Sequence, residues 1–575
     1  MATSAPRAEL APSTTMASTT AAAAGPDPVR RAGTHRRLIL VLLAALAAFR
    51  AADDFLVPLL RPDVFTGDLC QHVWWTPRLA DAALFPHDFV ADFFSHPRLA
   101  PFGYKVIYRI LVPFVDPQVI AETIPFVLAI AVVALAFAIG RVAGGTFLGG
   151  AVAVVLTLFW DPLLYAVHSG LERSFALPLV LLGTLALMTR RHVWIGAAML
   201  LGAMVYPTVV PTLGFFAAVV FVRRWWSERR PPEQWRGTLG LSLAAVVVLL
   251  AVYGRPFPPE IGPRVTAAEA RAMPEFSPAG RSKLFYGDPV AFYFLSGGAG
   301  IGFEPAGFVA VSLLMLASVL AYPGLIRVET WALAVTSFVL YAAAHAFMFA
   351  LYLPNRYVKY SLPVVVLLWV AALASRLAGV QWQPVERARA WVGRWPWIGT
   401  GAVALVVLAY GVGTVQRVTA KLREPPNVAR EAAYHFLATL PKDTLIAAHP
   451  HDADAVPLRT RRSVLASTET ALPLLSGYYR RVAERLAAEL VATYAVDFDE
   501  VDALYARFGA RVFLVNRARY GPGAQDYYAP FGDDLPRRMA LGRARGFALL
   551  DPPVDRILFR QGDYTVVRLG PVGVR

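Results

Sequence analysis

Long stretches with almost no charge set the first constraint on this chain. Apolar runs lie at 37–52, 118–140, 144–166, 171–188, 193–222, 237–254, 305–325, 329–352, 358–378 and 397–414. A helix that spans a bilayer needs about 20 mostly apolar residues. Composition points the same way. Of 575 residues 57% are hydrophobic and only 17% charged, whereas a soluble domain is about a quarter charged. Mean hydropathy is +0.49. The expected fold class is a polytopic α-helical membrane protein.

The net charge of +15 comes from arginine, because only Lys105, Lys283, Lys359, Lys421 and Lys442 are lysines. Arginines flank the apolar runs, where cytoplasmic loops carry them, so topology explains the charge and no nucleic acid is needed. An Arg- and Ala-rich, Lys-poor chain fits a GC-rich genome. Cys70 is the single cysteine, which excludes an intrachain disulfide and a cysteine metal cluster.

Residues 1–36 are rich in Ala, Thr, Ser and Pro and end in arginines; they read as a disordered cytoplasmic tail. A transmembrane part is expected over 37–419, with a large first outer loop at 53–116. The run at 193–222 is too long for one span and is broken by Tyr206-Pro207 and Pro211. Two short crossings there put Arg190, Arg191, Arg223, Arg224, Arg327 and the Arg376–Arg394 cluster on the inside, as the positive-inside rule favours. The count is then about eleven crossings, with the N-terminus inside and the C-terminus outside the plasma (inner) membrane. Residues 420–575 alternate strand-like segments (444–448, 463–467, 512–515, 564–569) with helical ones (428–440, 478–494, 499–508), which predicts an extracytoplasmic α/β domain. All five lysines fall outside, either by chance or as cations gathered for an anionic substrate.

Chemistry concentrates in the first outer loop. Asp68 and His72 are four apart and share a helix face, next to Trp74 and Trp75, which suit a helix in the membrane interface. A half-desolvated carboxylate there serves as a general base or caps the helix. Asp88 and Asp92 repeat the spacing, as second-site carboxylates or a solvated face. A divalent metal is compatible with the sequence but not required by it, since Asp68 and His72 are too few ligands to define a site. Two outer turns add polar groups: His168, Glu172 and Arg173, then Arg356, Tyr357, Lys359 and Tyr360. Cations at an outer helix start suit a lipid phosphate or anchor the chain at the interface.

A first span followed by a large outer loop with an early acidic residue and two interfacial helices resembles the GT-C superfamily of membrane glycosyltransferases. The segment Ser95-His96-Pro97-Arg98-Leu99-Ala100-Pro101-Phe102-Gly103-Tyr104-Lys105 is similar to the His-Pro-Pro-Leu-(x)-Lys stretch of protein O-mannosyltransferases and their bacterial relatives, with Arg98 in place of the second proline. Asp68 matches the Asp of the family's Asp-Glu pair, and Leu69 stands where the Glu would be. Asp53-Asp54 is the rival pair.

The resemblance implies an inverting enzyme of the cell envelope. It would transfer a sugar from a polyprenyl-phosphate donor to a hydroxyl of a glycan, lipid or protein at the outer face of the plasma membrane. Asp68 would be the base, with His72, Asp88, Asp92, His96, Lys105, His168, Arg173, Lys283, Arg356, Tyr357 and Lys359 as substrate-binding candidates. Arg356 and Lys359 would hold the leaving phosphate, and the loop at 281–304 would close over the donor. A transporter or flippase of a lipid-linked glycan is the alternative. A scaffold whose C-terminal domain binds a partner comes last, because it leaves the loop's charges without a task.

Overall fold

The computed structural model describes residues 28–231, 233–379, 396–521 and 527–571. Residues 1–27 of the expected tail and nearly all of the Arg376–Arg394 cluster lie outside the described residues.

The first helix, α1 (Pro28–Leu60), is 33 residues long. It starts inside the expected tail and runs past 52 to Leu60. The carboxylates near its C-terminal end are neutralised in place. Asp54 pairs with Arg50 one turn back, and Asp53 with Arg417 of the helix Pro396–Arg423 at 2.8 Å. A helix can carry charges at membrane depth when they are paired in this way.

The loop that follows holds three helices: α2 (Gly67–His72), α3 (Phe89–Phe94) and α4 (Phe102–Leu111). Of these, α4 has the amphipathic character expected at a membrane surface, with Phe102 and Ile110 exposed and Tyr104 and Tyr108 buried.

Two tightly crossed helices come next, α5 (Pro117–Gly144) and α6 (Phe147–Phe159). Small residues let them touch: a Cβ on Gly140 would stand 2.4 Å from that of Ala153. The chain reverses at Gly145, whose φ of +65° suits glycine. After α6 the backbone bends by 82° into Asp161–Gly170. The expected break in 193–222 is present, between helices Val193–Val205 and Val209–Glu228.

Among the described residues five helices are long and apolar enough to cross a membrane, or six if the bent pair is one span. Two of the expected crossings fall short in length. Ala176–Met188 and Val193–Val205 have 13 residues each, only about 20 Å of helix, although their runs read as full spans.

The C-terminal part carries a five-stranded sheet in the order β2-β1-β3-β5-β4. The strands are β1 (Leu445–Ala448), β2 (Ser463–Val464), β3 (Val512–Asn516), β4 (Ile557–Gln561) and β5 (Tyr564–Arg568). Parallel pairing joins β1 to β2 and β3; β5 pairs antiparallel with β3 and β4. Strand β4 escaped the sequence reading; a hairpin turn at Gln561-Gly562-Asp563 creates it.

The helix Ser476–Thr493 lies on the first outer loop. Its Tyr478 stacks on Phe93 with ring centroids 3.5 Å apart. One apolar core therefore joins Trp74, Trp75, Phe85 and Phe93 to Tyr478, Val482 and Leu486. Trp74 and Trp75 are 2% and 1% exposed, so they are core residues and not interfacial anchors.

Candidate functional site

Thr66 precedes α2 at the N-cap position, and its hydroxyl bonds that of Ser169 at 3.0 Å. That bond fastens the loop to the bend after α6. Asp68 is in the first turn without being the cap; its carboxylate accepts a hydrogen bond from the Arg173 guanidinium. His72 lies one turn further on, with Nδ1 3.5 Å from Glu172 Oε1. The face shared by Asp68 and His72 is thus turned onto the neighbouring Glu172-Arg173. The Asp68 and Arg173 side chains keep 31% and 27% of their exposure, enough to meet a substrate.

Two further cations stand at this place. Lys359 is within electrostatic reach of Arg356, Arg173 and Asp68. Arg356 is surrounded by Tyr206, Tyr352 and Tyr360, and its Nε is buried without a hydrogen-bond partner. Among the described residues neither Arg356 nor Lys359 has an ion-pair partner. Arg173, Arg356 and Lys359 are thus within electrostatic reach of one another, against the two carboxylates Asp68 and Glu172, a surplus of positive charge that favours an anion. His168 is wedged between the rings of Phe55 and Tyr165, at 4.8 and 4.6 Å, with Nδ1 buried and unpartnered.

Other candidates sit elsewhere. Asp88 is the N-cap of α3, accepting from Val90 N at 2.9 Å and Ala91 N at 3.2 Å; burial raises its carboxyl above the usual range. It is a buried structural cap, neither a second-site carboxylate nor a solvated face. Asp92 pairs with Arg78 at 2.6 Å on the surface. Lys105 Nζ donates to Ser95 O at 2.9 Å, and His96 Nδ1 accepts from Arg98 N at 3.3 Å. The Arg98 guanidinium covers the Phe257 ring at 3.9 Å. That segment therefore braces the outer loops against each other. Tyr357 gives its hydroxyl to Leu351 O at 2.9 Å. Lys283 is exposed, and its loop is pinned by Arg281 to Glu469 at 2.7 Å. The rivals Asp53 and Asp54 are taken up by Arg417 and Arg50.

Sequence reasoning used Tyr206 only as a helix breaker and passed over Tyr352. The Tyr206 ring stands 6.0 Å from that of Tyr360. Its signal was the break itself, since irregular backbone at membrane depth is tolerated where it lines a cavity or is buried in protein. Among the described residues no group of three or more His, Cys, Asp or Glu is gathered as a metal set.

No protein-family model and no curated protein matches the chain. Solved structures similar to it include the archaeal oligosaccharyltransferase AglB from Archaeoglobus fulgidus, in complex with an inhibitory peptide and a dolichol-phosphate. That likeness covers 87% of this chain and 72% of AglB, at 12% identity and a TM-score of 0.44. ArnT from Cupriavidus metallidurans, bound to undecaprenyl phosphate, is similar over 92% of this chain and 99% of its own, at 15% identity and a TM-score of 0.43.

Proposed function

We propose that this chain is an inverting glycosyltransferase that moves a sugar from a polyprenyl-phosphate donor to an acceptor hydroxyl at the outer face of the plasma membrane. The observation that carries this reading is Asp68, paired with Arg173 beside Arg356 and Lys359, two cations with no carboxylate of their own. Asp68 takes the proton of the acceptor hydroxyl. The acceptor oxygen bonds the anomeric carbon as the bond from that carbon to the phosphate oxygen breaks, and the lipid phosphate leaves as an anion. Arg356, Lys359 and Arg173 hold it and stabilise the charge that grows on it. In this reading the membrane part makes about eleven crossings with its N-terminus in the cytoplasm, and the C-terminal α/β domain covers the site from outside.

The test is a structure of the full chain with a non-transferable polyprenyl-phosphate analogue. Phosphate density between Asp68 and the Arg356/Lys359 turn supports the reading, and lipid bound away from both groups overturns it.

One observation favours a transporter of lipid-linked glycans instead: Glu122, near the start of α5 at the membrane's edge, is buried with Oε1 unpartnered, and buried carboxyls of spanning helices can mark a translocation path. Vesicles holding the chain separate the two, because a transporter moves labelled lipid across the bilayer without consuming acceptor.

A further inference from the structure

A second basic site lies at the other end of the same helices. There, a cavity of about 450 Å³ opens between α1, α5 and the start of α6, lined by Arg36, Leu40, Phe137, Arg141, Thr146 and Phe147.

Its depth follows from the helices themselves. Phe55 of α1 touches His168 in the Asp68 site, and Arg36 lies about 28 Å back along α1 at 1.5 Å per residue. Ala121 of α5 packs in the core with Leu69, and Arg141 lies about 30 Å further along α5. Two helices give the same separation, and it matches the ~30 Å hydrocarbon core of a bilayer. The cavity therefore sits at the opposite membrane boundary, where headgroups are found.

Its lining is cationic and apolar. Among the described residues Arg36 and Arg141 make no hydrogen bond or ion pair, and no described carboxylate lines the space. Both arginines are exposed, as lone arginines at a membrane boundary ordinarily are. Here the two border one hollow walled by Leu40, Phe137 and Phe147. The Phe137 and Phe147 rings are locked edge to face at 5.6 Å. Thr146 is fixed by bonds from Gly149 N and with Ser375 Oγ, so the wall is preorganised.

We infer that this cavity binds the phosphate headgroup of an anionic phospholipid. The two guanidiniums clasp the phosphate, and the glycerol and upper acyl chain lie along Leu40 and Phe137. A free inorganic phosphate leaves that apolar wall wet. A zwitterionic lipid brings its own cation against two arginines. The inference shares no residue with the Asp68 site, and rests on the transferase reading only for placing that site at the opposite membrane boundary.

Native mass spectrometry of the full chain in detergent, titrated with phosphatidylglycerol or phosphatidylcholine, tests it. The wild-type chain is expected to retain phosphatidylglycerol where phosphatidylcholine is lost. Arg36→Gln with Arg141→Gln lowers that occupancy about 25-fold, roughly fivefold for each charge. Leu40→Trp, which fills the hollow and keeps both charges, lowers it as well, and Arg37→Gln, outside the lining, does not. The inference is overturned if wild-type retains both lipids equally, if Arg37→Gln acts like Arg36→Gln, or if millimolar inorganic phosphate displaces the lipid. Should the double variant fail to fold, the wild-type lipid preference and Leu40→Trp decide the matter.

Discussion

Asp68 and Arg173 lie 105 positions apart in the chain and form one ion pair where the first outer loop meets the bend after α6. The pair is partly exposed, and exposed pairs contribute only about 0–1 kcal/mol. It is therefore weak as a fastening, and its value lies in what the two groups do with a substrate.

Asp68→Asn is expected to lower sugar transfer by about 10²- to 10⁴-fold, the range a general base supplies, with the thermal midpoint almost unchanged. Asp92→Asn, in an equally polar pair with Arg78, is expected to leave transfer alone. Initial rates with a lipid-phosphate sugar donor check both, and equal rates for Asp68→Asn and wild type would remove Asp68 from the chemistry.

Arg356 has a buried Nε with no partner and no carboxylate to neutralise it. Its removal is expected to cost the donor and not the fold. One lost charge-assisted hydrogen bond is worth about 1.5–3 kcal/mol, which is about 10- to 150-fold in kcat/KM for the donor. Arg356→Lys keeps the charge without the planar fork and falls between. The acceptor KM stays the same in both variants; a rise confined to the acceptor contradicts the assignment.

The part of this site legible in the sequence is the part that local periodicity controls. Asp68 and His72 face one way because four residues make about one helical turn, and both do meet the Glu172-Arg173 turn. The same spacing held only in part at Asp88 and Asp92: Asp92 is on a solvated face, whereas Asp88 precedes the helix as its N-cap and is buried. Spacing reports a shared face only when both residues are helical. Trp74 and Trp75 were misjudged for a different reason. Their cover, the helix carrying Tyr478, lies some four hundred positions away, and no local pattern announces it. Charges at 50–54 suggested the end of a span, but an i, i+4 pair and Arg417 let α1 continue.

Stability of the C-terminal part is expected to respond to pH in two opposite ways. Burial raises the Asp454 carboxyl to about 8, so the folded state holds a proton that the unfolded state releases near 3.8. That contribution is complete below the unfolded value and is lost as pH rises towards 8. Burial lowers the His451 imidazole to about 4, helped by Arg519. Its contribution is complete above 6.5 and is lost as pH falls towards 4. Asp454→Asn keeps the oxygen that accepts from Glu469 N and should flatten the alkaline limb of a plot of Tm against pH. His451→Gln should flatten the acid limb. A variant that shifts the whole curve without changing its shape would disprove the corresponding assignment.

The C-terminal part is held over the first outer loop chiefly by aromatic contact, and Tyr478 is its centre. The ring is buried, stacked on Phe93 and tilted against Phe89, and its hydroxyl donates to Thr470 O at 2.7 Å. Replacing a buried aromatic by alanine costs about 3–5 kcal/mol. Tyr478→Phe keeps the stacked ring and loses one hydrogen bond, about 1 kcal/mol. The connection between Arg423 and Val428 is exposed, so its cleavage by a protease reports how often the two parts separate. Cleavage is expected to speed up strongly in Tyr478→Ala and only slightly in Tyr478→Phe. If undocking also slows transfer in Tyr478→Ala while Tyr478→Phe stays active, the loop carrying Asp68 depends on this cover for its position. Equal cleavage in wild type and Tyr478→Ala would mean that other contacts hold the parts together, with the ion pair of Arg281 and Glu469 next in line.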